Sequence, residues 1–159
     1  MTIPGTRMAT GLVPAGLALL MAFASPAAAQ APAIDPAVTG PVLTVLTDED
    51  PQTQLMALIL TRASLQQDVP VRVLLCSAAG DLALAQPPQS AMQPLAPRGV
   101  SPHSLLRALI EEGVTVQVCA IYLPNSPHDE HDLIEGVSVA APSEIAAAMA
   151  DPGMRFFTF

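Results

Sequence analysis

Apolar and polar positions along the chain fall into two alternating periods. Val42 to Thr47 (VLTVLT) is a short run rich in β-branched residues, the pattern of a buried strand. Asp50-Pro51 then supplies a helix N-cap followed by proline at the first helical position. Leu55, Leu58, Ile59, Arg62 and Leu65 recur at helical spacing, so the helix runs to about Gln67. Val71 to Cys76 (VRVLLC) is a second strand. Between Asp81 and Ser101 stand Pro87, Pro88, Pro94 and Pro97, which predicts a long excursion holding at most a short helix. Ser101-Pro102 repeats the cap-then-proline signal. Leu105, Leu106, Leu109 and Ile110 form one apolar face, and Gly113 ends that helix.

Val114 to Cys119 (VTVQVC) is a third strand. Ser126-Pro127 predicts another short helix, with Ser126 and Asp129 as a capping box and Gly136 as its end. A brief strand at Val137–Val139, a helix from about Ser143 to Ala150 and a strand from Met154 to Phe159 complete the chain. Strands alternating with helices at these spacings predict an α/β three-layer sandwich. Its mainly parallel five-stranded sheet carries helices on both faces.

Composition changes this picture mainly at the amino terminus. The chain has 159 residues, 51% of them hydrophobic, and a mean hydropathy of +0.46. Arg7 is followed by an uncharged, mostly apolar stretch from Gly11 to Ala24 and by the small residues Ala27-Ala28-Ala29. That three-part order predicts a signal peptide over residues 1–29, cleaved before Gln30, and hence a periplasmic or secreted protein. Pro14 and Pro26 argue against retention as a membrane anchor, so no stable span is expected after cleavage. Residues 30–41 read as a flexible tether and residues 42–159 as the folded domain. Loss of the leader removes one of six basic residues and leaves a mature charge of −9. Such an acidic chain, with 3% aromatic residues and no Trp, excludes nucleic acid as a partner.

In open parallel sheets, ligands bind outside the carboxyl ends of the strands. Cys76 and Cys119 both lie there. A cysteine at a strand end is commonly a small buried hydrophobe. Cys119, however, stands where a strand gives way to a turn and a helix start, where a thiol pKa is lowered. A Cys76–Cys119 disulfide is the alternative use. It is feasible if the two strands are neighbours about 4.8 Å apart, and excluded if the first strand separates them by about 10 Å. Strand order is not set by the sequence.

The segments VLTVLTDEDPQTQLMALILTRASLQQ, VRVLLCSAAGDLAL and SPHSLLRALIEEGVTVQVCAIYLPN resemble the DsrE/DsrF-like family of small sulfur-relay proteins. The closing DLIEGVSVAAPSEIAAAMADPGMRFFTF is similar to the same family, and the likeness spans roughly Pro41 to Phe159. Its most specific elements are Gly113–Cys119 (GVTVQVC) and Asp132–Val137. The resemblance implies an α/β/α sandwich assembling as a trimer or hexamer, with Cys119 as persulfide acceptor. The chain would then be a sulfur carrier or transferase rather than a turnover enzyme. Its partner would be a sulfur donor or acceptor protein or a small sulfur compound, and no cofactor is implied. An export leader and Cys76 are departures from the family pattern.

Tyr122, the only tyrosine, and Asn125 lie in the loop after Cys119 and are candidate ligand contacts, although loop packing and turn chemistry explain them as well. His128 and His131, three residues apart beside Asp129, Glu130 and Asp132, are weaker metal candidates. Acids at a helix start are also what the helix dipole favours. His103 is expected at the surface. No G-x-G-x-x-G, P-loop, G-x-S-x-G or C-x-x-C occurs, which removes the warrant for nucleotide, α/β-hydrolase or thioredoxin-like chemistry. Three readings of the domain remain: a sulfur carrier acting through Cys119, a non-catalytic oligomeric binding module whose thiols are structural, and, as the weakest, a metal-binding protein using His128 and His131. An absence of free thiols points to the second.

Overall fold

The computed structural model describes residues 40–159; the expected leader and most of the expected tether lie outside the described residues. Five strands form one sheet: β1 (Val42–Leu46), β2 (Val71–Leu75), β3 (Thr115–Val118), β4 (Val137–Val139) and β5 (Arg155–Thr158). Their order is β4-β3-β2-β1-β5, and every pairing is parallel. Val42 stands opposite Val71 and Arg155, and Val73 opposite Val116. The helices are α1 (Pro51–Leu65), α2 (Gln89–Met92), α3 (Pro102–Glu111) and α4 (Pro142–Ala150).

Strand alternation sorts the sheet's side chains onto two unequal faces. On one, Val42, Leu46, Val73, Leu75, Val116 and Val118 join Leu58 of α1 and Leu106 and Leu109 of α3 in the main core. Truncating any of these fully buried leucines to alanine costs about 2–5 kcal/mol. Buried Thr44 is accommodated there because its hydroxyl hydrogen-bonds Thr61 of α1 at 2.8 Å. On the other face, Leu43, Leu74 and Ala140 form a smaller cluster with Cys76, Cys119, Ile145 and Met154. Among the described residues α4 is the helix that covers this side, and it buries none of its residues fully. Arg72 ties it down, donating to Glu144 Oε1 at 2.8 Å and to Gln117 Oε1 at 2.7 Å.

The caps follow the sequence signals. Asp50 Oδ1 accepts from the Gln52 and Thr53 amides at the start of α1, and Ser101 accepts from the Ser104 amide at the start of α3. Gly113 takes the left-handed conformation (φ 87°) that closes α3. β5 lies along the outer edge of β1, where the Thr47 amide and hydroxyl both donate to the Phe159 carbonyl, at 2.8 and 2.9 Å. The Arg155 guanidinium donates to the Gly40 carbonyl beside it.

The segment after Ser126 differs from the expected helix. A single 3₁₀ turn, Glu130–Asp132, takes its place, and another, Leu123–Asn125, precedes it. Ser126 Oγ accepts from the His128 amide, while the reciprocal capping box joins Asp129 and Asp132. The polar run from Ser126 to Asp132 has no apolar stripe to bury, so local side-chain-to-backbone bonds win over helix propagation. His103 is also placed differently. It is buried against the chain near Leu84, and its Nε2–H donates to the Leu84 carbonyl at 3.1 Å.

Candidate functional site at the carboxyl edge of the sheet

β2 and β3 are immediate neighbours, which settles the geometry left open by the sequence. Cys76 and Cys119 each follow the last residue of their strands, with Cα atoms 5.0 Å apart, and are joined by a disulfide. The two are the only cysteines of the chain, so no thiol is free. Their backbone amides continue the ladder, Cys76 N–H donating to the Leu46 carbonyl and Cys119 N–H to the Leu75 carbonyl. Both side chains are half-buried on the thinly covered face, against Leu43, Leu74, Ile145 and Met154.

The two loops that leave the cysteines are locked to each other. After Cys76 the chain passes through Ser77 in a left-handed conformation (φ 54°), unfavourable for a non-glycine residue, into a 3₁₀ turn over Ser77–Ala83. After Cys119 it turns so that the Tyr122 amide donates to the Cys119 carbonyl at 2.9 Å. The Tyr122 ring then packs over Gly80, where a Cβ would lie 2.7 Å from its Cγ. Its hydroxyl donates to Asp81 Oδ1 at 2.7 Å. Burial, and then the bond to Asp81, push the Tyr122 hydroxyl well above its ordinary pKa, so it stays a donor. The amides of Ala120 and Ile121, in the turn itself, meet no acceptor among the described residues.

The expected site residues therefore separate. Cys76 and Cys119 come together, and Tyr122 stands behind them as a loop clamp with its hydroxyl committed to Asp81. Asn125 is exposed, its side-chain amide donating back to the Ile121 carbonyl at 2.7 Å. His128 and His131 do not share a helix face: His128 Nδ1 lies 3.6 Å from Asp132 Oδ2, and His131 is exposed. Among the described residues no group of three or more His, Cys, Asp or Glu side chains is placed to hold a metal ion. Asp81 and Gly80 went unremarked as site residues in the sequence. Their signal was the Gly-Asp pair just after a strand-end cysteine, the place where a loop must admit a close neighbour.

No family model matches the chain, and no curated protein matches its sequence. Solved structures do. The crystal structure of the ychN protein from E. coli is similar with a TM-score of 0.56 and 20% identity, over 74% of this chain and 99% of that one. MTH1491 from Methanobacterium thermoautotrophicum, a protein of unknown function, is similar with a TM-score of 0.53 and 20% identity, over 75% and 99%. This chain shares their fold. At that identity the likeness is one of architecture, and the chemistry is argued from the residues.

Proposed function

We propose that this is an exported sulfur-handling protein of DsrE-like fold, in which the Cys76–Cys119 disulfide is the parked form of a persulfide carrier. The observation that carries the reading is the pairing of the two half-buried cysteines at the carboxyl ends of adjacent parallel strands. A thiol reductant opens the bridge to two thiols. The Cys119 thiolate then attacks the outer sulfur of a donor persulfide, forming Cys119–S–S⁻ and releasing the donor as a thiol. The Ala120 and Ile121 amides in the following turn, which make no hydrogen bond among the described residues, are the dipoles that would favour a thiolate there. The persulfide passes to an acceptor thiolate by the same exchange in reverse. If no acceptor arrives, Cys76 attacks the Cys119 sulfur, expels hydrosulfide and restores the disulfide. Each cycle that ends in the disulfide consumes two electrons from the reductant and releases the sulfane sulfur as sulfide.

The test is mass spectrometry of reduced protein exposed to a sulfane donor such as polysulfide. Cys119 should gain 32 Da (one sulfur) only transiently in the wild type and persistently in Cys76→Ser, with sulfide released only when Cys76 is present. No adduct on Cys119 in either protein overturns the reading.

A second reading is favoured by the absence of a free thiol: the bridge is a structural staple in a non-catalytic, oligomeric module. Under it, reduced protein takes up no sulfur, yet loses stability. Self-association is supported by Phe156 and Phe157, exposed on edge strand β5, and by the uncovered Ala- and Met-bearing side of α4. Sedimentation equilibrium giving a monomer mass would remove it. Export is supported by the pattern of residues 1–29 and by a disulfide suited to an oxidising compartment. An N-terminus at Gln30 in protein recovered from the periplasm or medium is the expected result.

A further inference from the structure

The helix layer on the sheet face away from the cysteines holds a separate opening. The proline-bearing excursion between α2 and α3 folds back on itself there. The Leu95 amide donates to the Val100 carbonyl at 3.0 Å, and the Gly99 amide to the Leu95 carbonyl at 2.9 Å. Gly99 takes the left-handed conformation (φ 66°) that this tight turn requires. Pro94 and Pro97 supply no amide donors, so the turn is not drawn into either neighbouring helix. Between this turn, α1 and the start of α3 lies a groove of about 450 Å³, within the size range of small-molecule sites.

Most of its lining is apolar: Leu55, Ile59 and Ala63 of α1, Leu95 and Val100 of the turn, and Leu105 of α3. Leu55 and Leu105 belong to the core, whereas Ile59 is 43% exposed, a large apolar side chain left open to water. The polar side chains are Arg62, Gln66 and Arg98, and no Asp or Glu lines the groove. In a chain with 14 acids against 6 basic residues, that local excess of positive charge runs against the general composition. Arg62 uses Nε and Nη2 on Glu112. Arg98, on the turn, makes no hydrogen bond or ion pair among the described residues.

The combination selects the chemistry of an occupant. An apolar lining favours a hydrocarbon, and an unpaired guanidinium beside it favours a planar anion that accepts two parallel hydrogen bonds. A peptide fits less well. It would bring backbone N–H donors along its length, and the Gln66 oxygen is the one acceptor among the lining side chains. We propose that this groove binds a free fatty acid of medium chain length. Its tail lies along Ile59, Ala63, Leu95 and Val100, and its carboxylate accepts from Arg98, with the Gln66 amide as a further donor. The site is independent of the sulfur chemistry proposed above.

Isothermal titration of the full chain with sodium hexanoate, octanoate and decanoate, each below its micellar range, tests this. Saturable one-to-one binding of decanoate is expected. Affinity should rise about fourfold for each methylene added, the factor that corresponds to burial of one CH₂. Arg98→Gln, which breaks no internal bond, should weaken decanoate binding about tenfold. Ala63→Leu fills the groove from α1 with a good helix former and should weaken it at least as much. Decyltrimethylammonium is the control of opposite charge, because an acidic chain attracts it in general and only the Arg-lined groove prefers the carboxylate. Absence of saturable decanoate binding up to about 1 mM overturns the proposal. So does an unchanged affinity in either variant, or equal or tighter binding of the cationic amphiphile, which would reduce the groove to a merely apolar surface. Acetate binding as tightly as decanoate would also overturn it, by removing any part for the tail.

Discussion

Reduction of the Cys76–Cys119 bridge is the perturbation whose size follows most directly from the fold. The two cysteines are 43 residues apart in sequence, and that intervening chain holds the Ser77–Ala83 turn, the proline-rich excursion, α2, α3 and β3. Cross-linking such a loop removes about 4 kcal/mol of chain entropy from the unfolded state. In the folded state β2 and β3 are already paired in register, from Arg72–Thr115 to Leu75–Val118, so the bridge adds little order there. The stability change therefore belongs to the unfolded chain. Urea unfolding with and without reductant, or of Cys76→Ser/Cys119→Ser against wild type, measures it. With a urea slope of about 2 kcal/mol/M, the midpoint should fall by about 2 M. A shift below about 0.5 M refutes the argument, because it means that the unfolded chain is not constrained by the bridge or that the bridge distorts the native loops. The prediction also bears on function: against a total stability of about 5–15 kcal/mol, loss of about 4 leaves most such domains folded. A carrier has to remain folded when its thiols are free.

The other predictions concern the clamp behind the cysteines and the buried histidine. Gly80→Ala places a methyl group into the Tyr122 ring and should destabilise the domain by about 1–3 kcal/mol in thermal unfolding. Tyr122→Phe removes the bond to Asp81 and should cost about 1.5–3 kcal/mol near neutral pH. Because the folded-state pKa of Tyr122 lies above the ordinary 10.0, its contribution is complete below pH 10 and lost as pH rises beyond it; Tyr122→Phe should flatten that alkaline decline in the urea midpoint. Burial lowers the pKa of His103 below 6.5, so its contribution is present above that pH and lost as pH falls through the folded-state value; His103→Gln should lessen the loss of stability between pH 7 and pH 5.

Elements whose signals are local were legible in the sequence. The β-branched runs VLTVL, VRVLL and TVQV became β1, β2 and β3, and the Asp50-Pro51 and Ser101-Pro102 signals opened α1 and α3 as expected. The segment after Ser126 misled because cap chemistry marks any turn with free amides, and no apolar face was present to extend it into a helix. His103 misled because one polar residue in a first helical turn says nothing of what packs against it; the Leu84 carbonyl comes from a distant loop. The disulfide was undecidable for a related reason. Its feasibility rests on β2 and β3 being neighbours, a matter of how crossovers lay strands side by side, and local periodicity carries no record of that.

The pairing of β1 with β5 sets an order of events in the life of the chain. β1 is the first strand to be synthesised and stands inside the sheet, yet one of its two edges is filled only by β5, with Thr47 and Phe159 joined across 112 residues of sequence. Until that strand arrives, Val42 to Leu46 presents an open, apolar hydrogen-bonding edge to any extended segment nearby. A closure of such long range is slow, and the interval before it is when the chain is most exposed to mispairing. A chaperone that holds the nascent chain would thus have most to protect at β1, and a change in the closing residues would be felt first as a loss of yield.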